Sequence, residues 1–250
     1  MQGDRTIIFI TGECLSHYCW EEWQAYFERR GFKTLAPSWI YKDAPADVLR
    51  SRHPDEELGN LNLDDITNHY RSIINTLEVK PVVVAHAGAV AIAENLVNEE
   101  AVAGAVFISE EGFIKWIRKT VLRGLALISG KSPSFLVPYC LWRTAFAYRM
   151  PRVWQQESYR LMIPESTKLL QQLYRGRLSP NHIKKALPEL HIAITGKKLT
   201  SANTKNHPHA GRRFGQRNYL FMTQPGWQEI ALYISDWLTQ HFSPIKTPSI

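Results

Sequence analysis

The chain has 250 residues, 44% of them hydrophobic and 21% charged, with a formal net charge of +7. This is the composition of a soluble globular chain able to bury a substantial core, most simply one domain with an insertion. No apolar run approaches the ~20 residues of a membrane span, the first residues lack a signal-peptide layout, and Cys14, Cys19 and Cys140 lack metal-ligand or C-x-x-C spacing, which points to a reduced, cytoplasmic setting.

In chain order, Thr6-Ile-Ile-Phe-Ile10 reads as a buried strand ending at Thr11-Gly12-Glu13-Cys14. Trp20 to Arg30 carries Trp20, Trp23, Ala25, Tyr26 and Phe27 at helical spacing, with Gly31 as its stop. Phe32 to Pro37 is a second strand, and a long polar loop runs from Tyr41 to Asn60. Leu63 opens a helix with Ile66, Tyr70, Ile73, Ile74 and Leu77 on one face. Val82 to Val84 form a third strand, Gly88 to Asn95 a helix, and Val102 to Ile108 a fourth strand ending at Ser109-Glu110-Glu111. Leu190 to Thr195 and Asn218 to Phe221 read as strands, and Trp227 to His241 as an amphipathic helix. Strands alternating with helices predict a doubly wound, mostly parallel α/β sheet. Right-handed crossovers place the strand ends that matter on one edge.

The centre of the pattern is Pro81-Val-Val-Val-Ala-His-Ala-Gly-Ala-Val-Ala91. A β-branched strand ends at a tight turn of small residues and runs straight into a helix, the context of a nucleophile elbow, G-x-S-x-G. Its five positions are Ala85-His86-Ala87-Gly88-Ala89. Small residues keep strand and helix close, but the nucleophile position is Ala87, whose methyl group cannot attack a carbonyl.

Residues 112–187 differ in character: helical, aromatic, and carrying fourteen Lys or Arg against Glu157 and Glu165. The insertion is therefore +12 and the remainder −5. Lys115, Arg118, Lys119 and Arg123 recur at about helical spacing. They read first as a solvated face, and otherwise as a surface steering an anionic ligand. No nucleic-acid motif, metal constellation or phosphate-binding glycine loop is present, so no cofactor, metal or nucleic-acid partner is expected.

Together Thr11-Gly12 with Leu15-Ser-His-Tyr-Cys-Trp20, the Ala85–Ala89 turn, Pro164-Glu-Ser166, Thr195-Gly196 and Gln224-Pro-Gly-Trp227 resemble an esterase-like α/β-hydrolase bearing a helical cap. The resemblance covers nearly the whole chain. It implies a core of residues 1–111 and 188–250 and a cap of residues 112–187. It also implies that the catalytic serine is replaced by Ala87, the acid by Leu199 and the histidine by Tyr219, with His207 or His209 as alternatives for the last. The oxyanion-hole amides would belong to Glu13 and Gly88. Losing all three members of a triad abolishes ordinary acyl transfer.

The remaining polar residues supply the candidates. Glu13, Glu110, Tyr219 and His86 are the acid–base candidates, and at most one of Glu110 and Glu111 faces the pocket. Glu13 reads equally as a solvated loop acid, His86 as a structural histidine below the site, and Tyr219 as an aromatic filler. Gly12, Cys14, His17, Tyr18, Ala87, Gly88, Leu199 and Trp142 are the candidates for lining a small-molecule pocket between core and cap. Lys197, Lys198 and Arg217 surround the same edge. The expectation is a cofactor-independent lyase, isomerase or cyclase acting on a mostly apolar molecule, an anionic one if the basic stripe steers it. A non-catalytic binding protein, or a hydrolase with an engineered alanine at Ala87, are the alternatives. A closed pocket on which Glu13, His86 or Glu110 converge within hydrogen-bond reach favours the enzyme; a pocket filled by side chains favours a scaffold.

Overall fold

The computed structural model describes residues 5–111, 113–128, 132–148, 150–175, 187–196 and 211–242. Lys197, Lys198, Leu199, His207 and His209 lie outside the described residues, as does the side chain of Lys115. Strand β1 (Thr6–Ile10) is buried along its whole length. A 3-10 turn at His17–Trp20 feeds α1 (Glu21–Glu28), and the chain reverses at Gly31, with φ 83°. Strand β2 (Lys33–Leu35) follows. The expected loop then holds two short helices, α2 (Ala46–Ser51) and α3 (Glu56–Asn60). They are too short to register as a periodic pattern, and the signal present is Asp55, whose carboxylate accepts from the Leu58 amide at 2.9 Å.

Helix α4 (Leu63–Ile74) begins with a capping box, Asn62 and Asp65 exchanging side-chain and backbone bonds. Strand β3 (Val82–His86), helix α5 (Ala89–Asn98) and strand β4 (Gly104–Glu110) follow the predicted order. Then comes the insertion: α6 (Phe113–Ile128), β5 (Ser134–Phe135), α7 (Tyr139–Ala145), α8 (Arg152–Arg160), β6 (Glu165–Ser166) and α9 (Thr167–Arg175). Strands β5 and β6 form a small antiparallel pair. The chain returns through β7 (Glu189–Thr195), β8 (Arg212–Gly215) and α10 (Gln228–His241).

The main sheet has the order β2-β1-β3-β4-β7-β8, every neighbouring pair parallel. Its central strands are apolar on both faces because helices cover both, which is why they read as continuous runs rather than alternations. The last strand lies at Arg212–Gly215 and not at Asn218–Phe221. Tyr219, Leu220 and Phe221 are buried, but they belong to a turn in which Asn218 Oδ1 accepts from the Leu220 amide at 2.9 Å. An asparagine side chain bonding two residues ahead competes with strand extension. Among the described residues no helix is long and apolar enough to cross a membrane.

Because β1, β3 and β4 are neighbours and run the same way, the residues at or just past the end of each reach one edge of the sheet. These are Glu13, Ala87 and Glu110. The insertion is fastened over that edge. The Ile163 amide donates to the Cys14 carbonyl at 3.1 Å, and Arg50 donates to the carbonyls of Met162 and Tyr159 at 2.8 and 2.5 Å.

Candidate functional site

Ala87 is the turn residue, at φ 54°, directly after β3. A non-glycine residue in the left-handed region is strained. It is held there by its amide, which donates to the Ile108 carbonyl at 3.1 Å, and by the helix that starts at once with Ala89. The next amide, that of Gly88, donates to Glu13 Oε2 at 2.8 Å. A Cβ on Gly88 would come within 2.5 Å of that oxygen and 2.9 Å of Leu173 Cδ1. Glycine is therefore required for the carboxylate to approach the helix N-terminus.

Glu13 is fully buried, and its other oxygen, Oε1, accepts from Arg118 Nη1 and from the Tyr174 hydroxyl. Arg118 Nε and Nη2 donate to Glu110 Oε2 at 2.8 and 2.6 Å. One guanidinium thus joins two carboxylates, with its carbon 4.4 Å from the Tyr219 ring centroid. Burial opposes the charge on Arg118, but Glu110, Tyr174 and Glu13 outweigh it and hold the guanidinium well above its ordinary pKa. Burial, and then the Glu13 charge, push both phenols, Tyr174 and Tyr219, well above the usual tyrosine range. The Tyr219 hydroxyl donates to the Glu13 carbonyl.

Arg118 therefore departs from expectation: it is not part of a solvated or steering stripe but the centre of a buried cluster, only 4% exposed. Glu110 and Glu111 do diverge as expected, since Glu111 pairs with Arg213 at 2.9 Å. Beside Glu110 a cavity of about 10 Å³, lined among others by Tyr148, Arg217 and Asn218, has room for about one water molecule. Trp142 is in the insertion's own core, stacked on Phe146 at 4.8 Å and donating to Ser158 Oγ at 3.2 Å. His17 and Tyr18 pack against each other with centroids 4.2 Å apart, Tyr18 at the surface. Gly12 is the floor: a Cβ there would meet the Tyr219 hydroxyl at 2.9 Å and His86 Nδ1 at 3.0 Å.

His86 is fully buried between Tyr219 and Phe221, with ring centroids at 4.6 and 5.2 Å, and neither ring nitrogen has a partner among the described residues. Burial, helped by the Arg118 charge, holds its pKa well below the ordinary value. It is neutral when folded and binds a proton on unfolding below about pH 6.5. Its contribution to stability is complete above that pH and falls by up to ~1.4 kcal/mol per unit as pH drops toward the folded pKa. His86→Phe is expected to flatten the acid side of a melting-temperature profile between about pH 6.5 and 5. A profile parallel to wild type would place the acid sensitivity elsewhere.

A second buried cluster adjoins the first. Glu165 Oε2 accepts from the Cys14 amide at 2.8 Å and from Lys42 Nζ at 2.5 Å, while Oε1 accepts from the Ser166 amide at 3.0 Å. Cys14 is buried at φ 62°, and burial, with the Glu165 and Glu13 charges, raises its thiol well above the usual range. That makes it a poor nucleophile. Among the described residues no group of three or more metal-ligating side chains converges.

Solved structures share this architecture over nearly their full length. An extracellular α/β-hydrolase from a Paenibacillus species matches 96% of this chain and 99% of its own, with TM-score 0.61 and 14% identity. The fold is that of the α/β-hydrolases. Tomato methylketone synthase I, solved with 2-tridecanone, has the same fold at TM-score 0.62 and 12% identity, covering 96% of this chain and 99% of that one. Paleococcus ferrophilus monoacylglycerol lipase shares it at TM-score 0.62 and 13% identity, covering 94% of each chain. No family model matches the chain, and no curated protein matches its sequence. At such identities the likeness speaks for the α/β-hydrolase fold, and the chemistry has to be argued from the side chains.

Tyr174, Leu173 and Lys42 were not among the sequence-derived candidates. Arg118 had a readable signal. It shares the inward face of α6 with Leu122, four residues on, both buried, while Trp116, Thr120 and Arg123 face out. A cation within the apolar stripe of an amphipathic helix needs a buried partner.

Proposed function

We propose that this chain is an α/β-hydrolase-fold protein that no longer hydrolyses esters and acts by binding. One observation carries the reading. The Gly88 amide, which in an active elbow would serve a developing oxyanion, is engaged by the protein's own Glu13 carboxylate. A fixed negative charge there repels an oxyanion instead of stabilising it, and Ala87 beside it offers no nucleophile. Tyr219, at the histidine's expected place, has its hydroxyl committed to the Glu13 carbonyl.

The test is turnover of short-chain aryl esters together with labelling by a serine-directed fluorophosphonate. Neither is expected from the wild-type chain. Ala87→Ser is expected to gain little, since Tyr219, bonded to the Glu13 carbonyl, supplies no base for the new hydroxyl. Inhibitor-sensitive turnover by wild type would overturn the proposal. A large gain from Ala87→Ser would instead support an alanine introduced into a working site.

A second reading, an acid–base lyase, isomerase or cyclase, is favoured by the convergence of Glu13 with the Tyr174 and Tyr219 hydroxyls. The likeness to tomato methylketone synthase I, one complex of which holds β-ketoheptanoate, gives a probe. Consumption of β-ketoheptanoate by this chain, reduced on the order of 10²-fold or more by Glu13→Gln, would favour that enzyme. No consumption is the outcome expected of a binding protein.

A further inference from the structure

Three elements donate to one carboxylate: the Gly88 amide at the start of α5, Arg118 on α6, and the Tyr174 hydroxyl on α9. A helix N-terminal amide, a guanidinium and a hydroxyl, all turned toward one point, are the recognition chemistry of a carboxylate. The surroundings are apolar: Leu173 lies beside Gly88, and the rings of Tyr219 and Phe146 face Arg118 at 4.4 and 5.8 Å. We propose that this is a binding site for the carboxylate of a small monocarboxylic acid with an apolar tail, and that Glu13 is its resting occupant.

Two observations make the exchange physically reasonable. First, it is isoelectric. Glu13 and Glu110 already share one guanidinium, so a ligand carboxylate replacing that of Glu13 leaves the buried charge unchanged, whereas a cation or a dianion does not. Second, Glu13 is carried by a strained segment. The residue after it, Cys14, holds φ 62° with a buried side chain, a costly conformation for a non-glycine residue, which a rearrangement of the segment would relieve. The inference deepens the non-hydrolytic reading and rests on it: a site without nucleophile or oxyanion hole can hold an acid without transforming it.

The test uses the purified full chain and removes the occupant. Glu13→Ala is expected to melt below wild type. Acetate, propionate or hexanoate should then raise its melting temperature saturably, by about 5–10 °C at a hundredfold excess over Kd. Sodium chloride at equal ionic strength should not, and adding Arg118→Met should abolish the gain. Should Glu13→Ala yield no folded protein, the isosteric Glu13→Gln supports the same titration, its neutral amide competing less well than the native carboxylate. A carboxylate-dependent rise in these variants no larger than in wild type or in the Arg118→Met double variant overturns the site. Ester turnover would overturn the non-hydrolytic reading while leaving this shift in place, so the two failures are separable.

Discussion

Arg118→Met is expected to destabilise the fold by about 3–5 kcal/mol, lowering the melting temperature by roughly 10 °C in a chain of this size. The guanidinium is the one cation hydrogen-bonded to both Glu13 and Glu110 among the described residues, and all three side chains are buried. Methionine fills much of the volume but takes from two buried carboxylates the cation they share. The cost is therefore set less by the worth of two salt bridges than by buried negative charge that has lost its shared cation. Urea unfolding of wild type and Arg118→Met reads this loss. Arg118→Lys should lie between the two, because an ammonium cannot span both carboxylates with the planar fork of arginine. A loss below about 1 kcal/mol for Arg118→Met, the range of an exposed ion pair, would mean that the guanidinium is solvated after all.

What the sequence made legible and what it did not divides along physical lines. The β3 turn was readable because Val82 to Ala85 are apolar without interruption and the following residues are small, and both features are local. The sheet order follows from alternating strands and helices with crossovers of one hand. The Glu13–Arg118 pair was not readable, since it joins residues 105 apart and depends on how α6 rolls over the sheet edge. Beside Lys119 and Arg123, Arg118 looked like one more member of a basic stripe. Arg123 does keep an exposed setting, donating to the Tyr174 carbonyl at 2.6 Å. The strand expected at Asn218–Phe221 failed for a different reason: burial of Tyr219 and Phe221 mimics a strand's apolarity while the Asn218 side chain turns the chain.

Lys42→Met should have an effect of similar size, again about 3–5 kcal/mol, and the argument turns on its partner. Glu165 is fully buried and Lys42 is 3% exposed, with the ammonium 4.1 Å from the Trp39 ring centroid. Removing the lysine leaves the Glu165 charge supported, among the described residues, by the Cys14 and Ser166 amides, too little for an ion in a dry interior. Glu165→Gln alone should also destabilise, since it strands the ammonium. The double variant Lys42→Met/Glu165→Gln should be milder than either single change, because the amide oxygen can still accept from Cys14 while no bare charge remains. That non-additivity, read from urea unfolding of the four chains, is the signature of a buried pair; additive losses would show that the two residues act independently. The location gives the pair a further consequence. Cys14 adjoins Glu13, and Glu165 precedes α9, which carries Tyr174, so this pair holds the segment bearing Glu13 against the helix that grips it. In Lys42→Met, hydrogen exchange at the Gly88 amide should therefore quicken along with that at Cys14, since the carboxylate protecting Gly88 loses its backbone anchor.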